Sequence, residues 1–243
     1  MEHRGSSVYD QKEFLTNYMK RRGRPDSPNN AIEGPIIDEL VGNPSDKNIL
    51  DLGCGDASFG KKLISQGAKF YTGLEGSEEM AALAKSNIPE EKGKVYHSTL
   101  ESFHYPSDQF DLVASRFVLH YVSDIHKLFR TVYNSLQDKG KFIFSVQHPL
   151  TTSSFISKQS GDKRGNWVVD DYFHEGERKE PWIEEVVVKY HRTIENYFRA
   201  LTQAGFSVKD LREGTPERVN FTSEEEFIRR QRIPVVLVFS CEK

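Results

Sequence analysis

The chain has 243 residues, of which 37% are hydrophobic and 12% aromatic, and its formal net charge is −3. This length and composition suffice for one globular domain with a substantial core, and so small a charge gives no overall field that would attract a nucleic acid. Two isolated cysteines indicate a reduced compartment, and no apolar run approaches the roughly 18 to 20 residues of a membrane span, so we expect a cytoplasmic protein.

The N-terminal part is predicted to be helical. Helices are expected at about 10–21 and 31–41, and RPDSPNN between them supplies a turn and a cap. We expect residues 1–45 to cover the rest of the domain. The first helix ends in a basic cluster: Lys20, Arg21, Arg22 and Arg24. A solvated helix end is the favoured interpretation of this cluster, and phosphate binding is the alternative.

The most informative stretch is KNILDLGCGDASFG at 47–60, which predicts a strand at 48–52, a glycine-rich turn and a helix at 58–66. A turn of this kind lets a ligand lie against bare backbone. A nicotinamide or flavin fingerprint would require a third glycine where Ser58 stands. Acidic residues in and before the turn suit a cationic ligand better than a diphosphate.

Glu75 lies at the tip of a second predicted strand, at 69–74, and 22 positions after Gly53. A carboxylate in this position of a doubly wound fold accepts hydrogen bonds from both hydroxyls of a ribose. The alternative is a solvated acid that opens the next helix, at 77–87, for which Ser77 is a suitable cap.

The glycine turn resembles the first motif of class I S-adenosylmethionine-dependent methyltransferases, acid-x-Gly-x-Gly-x-Gly. Asp51, Gly53, Gly55 and Ala57 stand at its positions, with only the last glycine replaced. The resemblance covers roughly residues 30–150 and is strongest to the subset that acts on small molecules. It implies an α/β fold with a doubly wound, seven-stranded, mostly parallel sheet, S-adenosyl-L-methionine as cofactor, and a small-molecule methyl acceptor.

The resemblance also implies which residues bind the cofactor. They follow the carboxyl ends of the first four strands: Asp51, Gly53, Cys54, Gly55, Glu75, Gly76, Ser77, Met80, Thr99, Leu100, Glu101 and Ser115. Thr99 departs from the aspartate that many members direct at the adenine amino group. Either its hydroxyl or the backbone of Leu100 can replace that contact. Glu101 is equally compatible with a solvated role.

The alternation of strands and helices continues, with strands at 93–97, 110–115 and 141–147 and a helix at 124–137. This order implies a parallel sheet with right-handed crossovers, in which ligands bind at the carboxyl ends of the strands. Residues 46–149 are therefore expected to form the cofactor-binding core of a single domain that spans 1–243.

The segment at 150–182 is polar, rich in turn residues and aromatic, and no regular structure is predicted for it. We interpret 150–192 as a substrate cover, with a surface excursion that touches no ligand as the alternative. Residues 193–243 are expected to complete the sheet. The predicted elements are a strand at 184–191, a helix at 192–205, a strand at 206–213 and an antiparallel last strand at 233–243.

Three histidines are candidates for catalysis: His120, His148 and His191. A base is needed only if the acceptor is a weakly acidic hydroxyl or a protonated amine. His148 lies in a Ser-Val-x-His-Pro segment that resembles one bordering the acceptor site in the small-molecule subset. A half-buried structural role remains open for each histidine. The expected substrate contacts are Arg116, Tyr121, Trp182, Tyr190 and Arg192, although Arg192 could instead form a surface salt bridge.

The absence of several motifs narrows the class of methyl acceptor that we expect. The chain has Ser115-Arg116-Phe117-Val118 where enzymes that methylate amino groups of nucleic acids carry an Asn/Asp-Pro-Pro-aromatic segment. It also lacks a Pro-Cys nucleophile and the acid spacing of a magnesium-dependent catechol-type site. We expect no nucleic-acid, membrane or metal partner, and a monomer or homodimer. A non-catalytic S-adenosylmethionine-binding sensor or scaffold remains an alternative, and a nicotinamide-dependent oxidoreductase is disfavoured by the glycine spacing.

Overall fold

The computed structural model describes residues 2–158 and 166–243. Ten strands occur in these residues: β1 (Glu2–Arg4), β2 (Asn48–Leu52), β3 (Phe70–Glu75), β4 (Gly93–His97), β5 (Phe110–Arg116), β6 (Leu136–Gln147), β7 (Gly176–Trp182), β8 (Glu185–His191), β9 (Ser207–Arg212) and β10 (Val236–Glu242). Seven form the main sheet in the order β4-β3-β2-β5-β6-β10-β9. β10 runs antiparallel to β6 and β9 on either side of it, and all the other neighbouring pairs are parallel. The predicted doubly wound, mostly parallel sheet is therefore confirmed.

Eight α-helices flank the strands within the described ranges: α1 (Lys12–Arg22), α2 (Gly34–Val41), α3 (Ser58–Ser65), α4 (Glu78–Asn87), α5 (Ile125–Ser135), α6 (Pro149–Thr152), α7 (Ile194–Ala204) and α8 (Glu224–Gln231). Four of them begin at a side chain that accepts a hydrogen bond from the backbone three residues on: Ser77, Asp124, Thr193 and Ser223. Such caps satisfy backbone donors that the first helical turn leaves unpaired.

The core lies on both faces of the main sheet. In β2, Leu50 and Leu52 pack into one apolar cluster with residues of α5 and α7, whereas Ile49 packs into a second cluster with residues of α2 and α3. Side chains alternate between the two faces of a strand, so a strand covered on both sides reads as a continuous apolar run.

A second, three-stranded sheet joins the N-terminus to the expected substrate cover. In it β1 pairs parallel with β8, and β7 pairs antiparallel with β8. The prediction of no regular structure at 150–182 is therefore wrong for β7, and β1 was not predicted at all. The sequence of β7, GERKEPW, has no apolar alternation that would predict a strand. It forms one by pairing in a hairpin with the apolar β8, which begins three residues after Trp182.

Smaller differences concern β6 and α8. β6 begins at Leu136 rather than near 141, because Leu136 pairs with Phe110 before the register shifts. No helix was predicted over α8, although Ser223 and Glu226 have the Ser-x-x-Glu spacing of a capping box, and the Ser223 hydroxyl accepts from the Glu226 amide. None of the helices described is both long enough and apolar enough to cross a membrane.

Candidate functional site

A cavity of about 360 Å³ opens at the carboxyl ends of β2, β3 and β5. Most of the predicted cofactor residues line it: Asp51, Gly53, Cys54, Gly55, Glu75, Gly76, Met80, Thr99, Leu100 and Glu101. Two do not. Ser77 is buried, accepts from the Met80 amide and donates to Asp10, while the Ser115 hydroxyl donates to the Leu52 carbonyl. Ser77 and Ser115 therefore support the wall from behind.

The glycine turn is held in a left-handed conformation. Gly53 has φ +73° and Gly55 has φ +60°, values that favour glycine over residues with a Cβ. A Cβ on Gly53 would lie 2.4 Å from Val118 Cγ2, whereas a Cβ on Gly55 would meet nothing closer than Arg22 Nη1 at 3.4 Å. Gly53 is thus required by the packing of the protein itself, and Gly55 leaves open space over the turn.

Glu75 is fixed at the tip of β3 by backbone donors. Its Oε2 accepts from the Gly55 amide at 2.8 Å, and its Oε1 accepts from the Ser77 amide at 2.9 Å. Burial raises the pKa of this carboxyl, and the backbone donors oppose that rise. Each carboxylate oxygen keeps a further lone pair, so the group can still accept hydrogen bonds from two hydroxyls in the cavity.

Asp51 and Cys54 are buried beside the turn. The Tyr71 hydroxyl donates to Asp51 at 2.7 Å, and burial raises the pKa of this aspartate to about 6. Burial and the nearby Asp51 raise the pKa of the Cys54 thiol well above its ordinary value. A protonated buried thiol is a poor nucleophile, which agrees with a purely spatial role for Cys54 between the two glycines.

The N-terminal part contributes a wall that sequence reasoning did not identify. Tyr9, Tyr18 and Arg22 line the cavity, and Arg22 Nη1 lies 3.0 Å from Oδ1 of Asp56, a residue of the glycine turn. The basic cluster was visible in the sequence, but no motif indicated that one of its members turns inward. Two further members of that cluster, Arg21 and Arg24, border a second cavity.

This second cavity has a volume of about 510 Å³ and adjoins the first. The two share a wall formed by six residues: Tyr9, Tyr18, Arg22, Asn29, Phe117 and Tyr121. Two of the expected substrate residues, Tyr121 and Trp182, line the second cavity. Tyr9, Tyr18 and Trp182 pack against each other edge to face, with ring centroids 4.9 to 6.1 Å apart.

His120 is the predicted histidine that lines the second cavity. It follows β5, is buried, and its Nδ1 lies 3.4 Å from the Gln147 backbone nitrogen. Burial, with the nearby charges of Lys189 and Arg192, lowers the pKa of His120 well below its ordinary value. The ring is therefore uncharged near neutral pH.

His148 and His191 line neither cavity. His148 caps α6 by accepting from the Leu150 amide, and its Nε2 lies 3.0 Å from Glu213 Oε1. His191 Nδ1 lies 2.8 Å from the Thr152 hydroxyl, and its Nε2 lies 2.9 Å from the Tyr172 carbonyl. The ring nitrogens of both histidines thus have partners within the protein.

The other expected substrate residues also have internal partners. Arg116 borders the first cavity, but its guanidinium forms a two-pronged ion pair with the buried Glu33. The Arg192 guanidinium donates to the Ser123 carbonyl at 2.8 Å and also to that of Val122, and it forms no salt bridge with a residue that the structure describes. Tyr190 lies outside both cavities, with its hydroxyl 3.4 Å from Arg4 Nη1.

Comparisons with known proteins agree with this architecture. Residues 50–144 match the model of a methyltransferase domain family. A crystal structure of an S-adenosylmethionine-dependent methyltransferase from Mesorhizobium loti is 32% identical, has a TM-score of 0.79, and covers 89% of this chain and 100% of its own. An uncharacterized protein of Haemophilus influenzae is 30% identical over 217 residues, which are 85% of each chain.

The uncharacterized methyltransferase YcgJ of Bacillus subtilis is 31% identical over 108 residues, which are 43% of this chain and 42% of that protein. The similarity to the Mesorhizobium loti enzyme extends over nearly the whole length of both chains. The chain therefore belongs to the class I S-adenosylmethionine-dependent methyltransferases.

Proposed function

We propose that this methyltransferase acts on an O, N or C atom of a small organic acceptor, which binds in the second cavity. The observation that carries the proposal is the shared wall between two adjoining cavities, one at the glycine turn and one under the three-stranded sheet. The second cavity, at about 510 Å³, has the size of a small-molecule site.

The first cavity fits S-adenosylmethionine. Its turn presents bare backbone at Gly55, and the fixed carboxylate of Glu75 has free lone pairs for two vicinal hydroxyls. Asp51 supplies negative charge for a cationic ligand, and Leu100 offers an apolar surface to a base. We assign these residues to cofactor binding.

When bound, S-adenosylmethionine supplies a methyl group on a sulfonium, and the electrons of the carbon–sulfur bond remain on sulfur as an acceptor lone pair takes that methyl. The protein must then hold the acceptor in line and keep water out. The rings of Tyr9, Tyr18 and Tyr121, in the shared wall, are placed to do both. No step requires a charged histidine.

We assign a positioning role to His120 rather than a role as a strong base. Its pKa is lowered well below the ordinary histidine value, so it is a weak proton acceptor. An uncharged imidazole can still orient an acceptor by hydrogen bonding. His148 and His191 have partners elsewhere and are assigned to the structure of α6 and β8.

Transfer of a radiolabelled methyl group tests the proposed function. The purified protein is incubated with methyl-labelled S-adenosylmethionine and a size-filtered metabolite extract, and labelled products are separated from the cofactor. We expect labelled small molecules with the wild type and strongly reduced labelling with Glu75→Ala. If the wild type binds S-adenosylhomocysteine but labels nothing in extracts or in a panel of small phenols, amines and acids, the non-catalytic alternative is favoured.

A further inference from the structure

The second cavity carries more positive than negative charge. Among its described lining residues six are basic: Arg21, Arg22, Arg24, Lys189, Arg229 and Arg230. Only Glu180 among those described is acidic. Four of the six have a carboxylate within 4 Å: Arg22 has Asp56, Lys189 has Glu180, and Arg229 and Arg230 share the single carboxylate of Glu226. One carboxylate cannot balance two guanidinium groups, so Arg21, Arg24 and the more distant Arg230 supply the excess positive charge among the described residues.

Among these three arginines, Arg230 gives the strongest indication of an anionic ligand. Its Nη2 is 3.8 Å from Glu226 Oε2, which is too long for a hydrogen bond, and its Nε is buried without a hydrogen-bond partner among the described residues. Burial and the neighbouring Arg229 and Arg24 lower the pKa of Arg230 to about 10. A buried guanidinium donor without a partner is costly, and an anion in the cavity would satisfy it.

Three of the basic residues lie outside the wall that the two cavities share. Arg24, Arg229 and Arg230 line the second cavity and not the first. The rings of Tyr9, Tyr18 and other residues form the shared wall itself. The Trp182 ring packs on Tyr9 and Tyr18 and extends this apolar side of the cavity. A ligand that fills this space needs an apolar body with a negative group at one end.

We propose that the methyl acceptor is a small organic anion with an apolar or aromatic body, whose carboxylate or phosphate binds Arg24 and Arg230 while its other end reaches the tyrosine wall. The proposal rests on the proposed function, because it takes the second cavity as the acceptor site. A planar carboxylate and a tetrahedral phosphate each present a pair of oxygens, which a guanidinium group can bind by two parallel hydrogen bonds.

Binding of matched probes tests the proposal. The protein is first saturated with S-adenosylhomocysteine, and that binding is measured separately by calorimetry. Benzoate, phenyl phosphate and the neutral benzamide are then titrated at constant ionic strength. Trp167 and Trp182, the only two tryptophans of the chain, both line the second cavity, so their fluorescence provides a second readout.

We expect benzoate or phenyl phosphate to bind at least tenfold more tightly than benzamide, and whichever binds more tightly identifies the anionic group. Arg24→Gln and Arg230→Gln should each weaken the anion about tenfold and leave benzamide unchanged. Arg199→Gln is the matched control, because Arg199 pairs with Glu195 on the exposed face of α7 and does not line the cavity.

Two results would overturn the proposal. One is equal or absent binding of all three probes by protein that binds S-adenosylhomocysteine normally. The other is anion binding that neither arginine variant weakens. Loss of S-adenosylhomocysteine binding by the wild type would instead count against the proposed function, so the two failures are distinguishable.

Discussion

Gly53 and Gly55 belong to one turn but are constrained by different neighbours. A Cβ on Gly53 would meet Val118, whereas a Cβ on Gly55 would project into open space beside Arg22. Gly53→Ala should therefore lower the free energy of unfolding by about 2 to 5 kcal/mol, the combined scale of a left-handed alanine and an overpacked core. Gly55→Ala should lower the free energy of unfolding only by the cost of a left-handed alanine, about 1 to 2 kcal/mol.

Chemical denaturation and calorimetry with S-adenosylhomocysteine check this pair of variants. We expect Gly55→Ala to bind S-adenosylhomocysteine more weakly than the wild type even under conditions in which the variant is fully folded. The reason is that the added Cβ occupies the side of the turn on which we place the cofactor. Equal destabilisation by the two variants, with no loss of affinity for Gly55→Ala, would contradict the placement of the cofactor over this turn.

The histidines differ in what surrounds them. His120 lines the second cavity, whereas His148 is fixed by Leu150 and Glu213. We expect His120→Asn to lower kcat about tenfold or more and to leave cofactor affinity unchanged, because a positioning contact to the acceptor is lost. His148→Asn should lower the melting temperature and leave kcat within about twofold. The reverse pattern, from steady-state kinetics and thermal unfolding, would restore His148 as the residue beside the acceptor.

The positions of residues in the fold could be predicted from sequence where their spacing follows from a known geometry. The glycine turn and Glu75 could be located because a strand, a tight turn and an acid at fixed separation imply one geometry. Tyr9, Tyr18 and Arg22 could not, because aromatic and basic residues on a polar helix carry no sign of which cavity they face.

At the scale of elements, the N-terminal segment is the distinctive part of the site. β1 pairs with β8, and α1 places Tyr18 and Arg22 over the glycine turn. β1 has only three residues, and β8 lies within the expected substrate cover. Pairing between strands so far apart in the chain leaves no local sequence pattern from which it could be predicted. This is why the helices of the N-terminal cover were predicted and the sheet that attaches them was not.

The Arg22–Asp56 ion pair is expected to hold this segment closed over the cofactor. Both side chains are largely buried, and their charged atoms lie 3.0 Å apart. Arg22→Gln and Asp56→Asn should each raise the dissociation constant of S-adenosylhomocysteine about threefold to tenfold, mainly through faster dissociation. The double variant should be no worse than the more severe single one, with a coupling free energy of about 1 kcal/mol.

Stopped-flow dissociation of bound S-adenosylhomocysteine measures this coupling. The surface pair Lys62–Asp38 bridges α3 and α2 outside the first cavity and serves as a control, since both of its side chains are 44% exposed. If the effects of the Arg22 and Asp56 variants simply add, the two side chains act independently and α1 is not held in place by their pairing.

For the whole molecule, buried ionisable groups predict how stability depends on pH. Burial lowers the pKa values of His120, His148 and His191, so the unfolded chain binds protons more readily at these positions. Each contributes stability that falls as pH drops below about 6.5, by up to about 1.4 kcal/mol per pH unit. The raised pKa values of Asp51 and Glu75 act in the opposite direction, with that of Asp51 at about 6.

Three histidines outweigh two carboxyls, so the free energy of unfolding should decrease from pH 7.5 to 5.5. Urea unfolding at intermediate pH values measures the slope, and His148→Gln and His120→Gln should each make it shallower. Stability that stays constant or rises on acidification over this range would show that these rings are not held uncharged in the folded protein.

S-adenosylmethionine is expected to bind in the first cavity with its ribose on Glu75, and calorimetric titration with S-adenosylhomocysteine measures that binding. We predict one site per chain, no binding of NADH, and a loss of about 1 to 3 kcal/mol in Glu75→Gln, the scale of a charge-assisted hydrogen bond. Glu78→Gln, in the exposed first turn of α4, should bind like the wild type. Unchanged affinity in Glu75→Gln, or competition between NADH and S-adenosylhomocysteine for one site, would contradict the account.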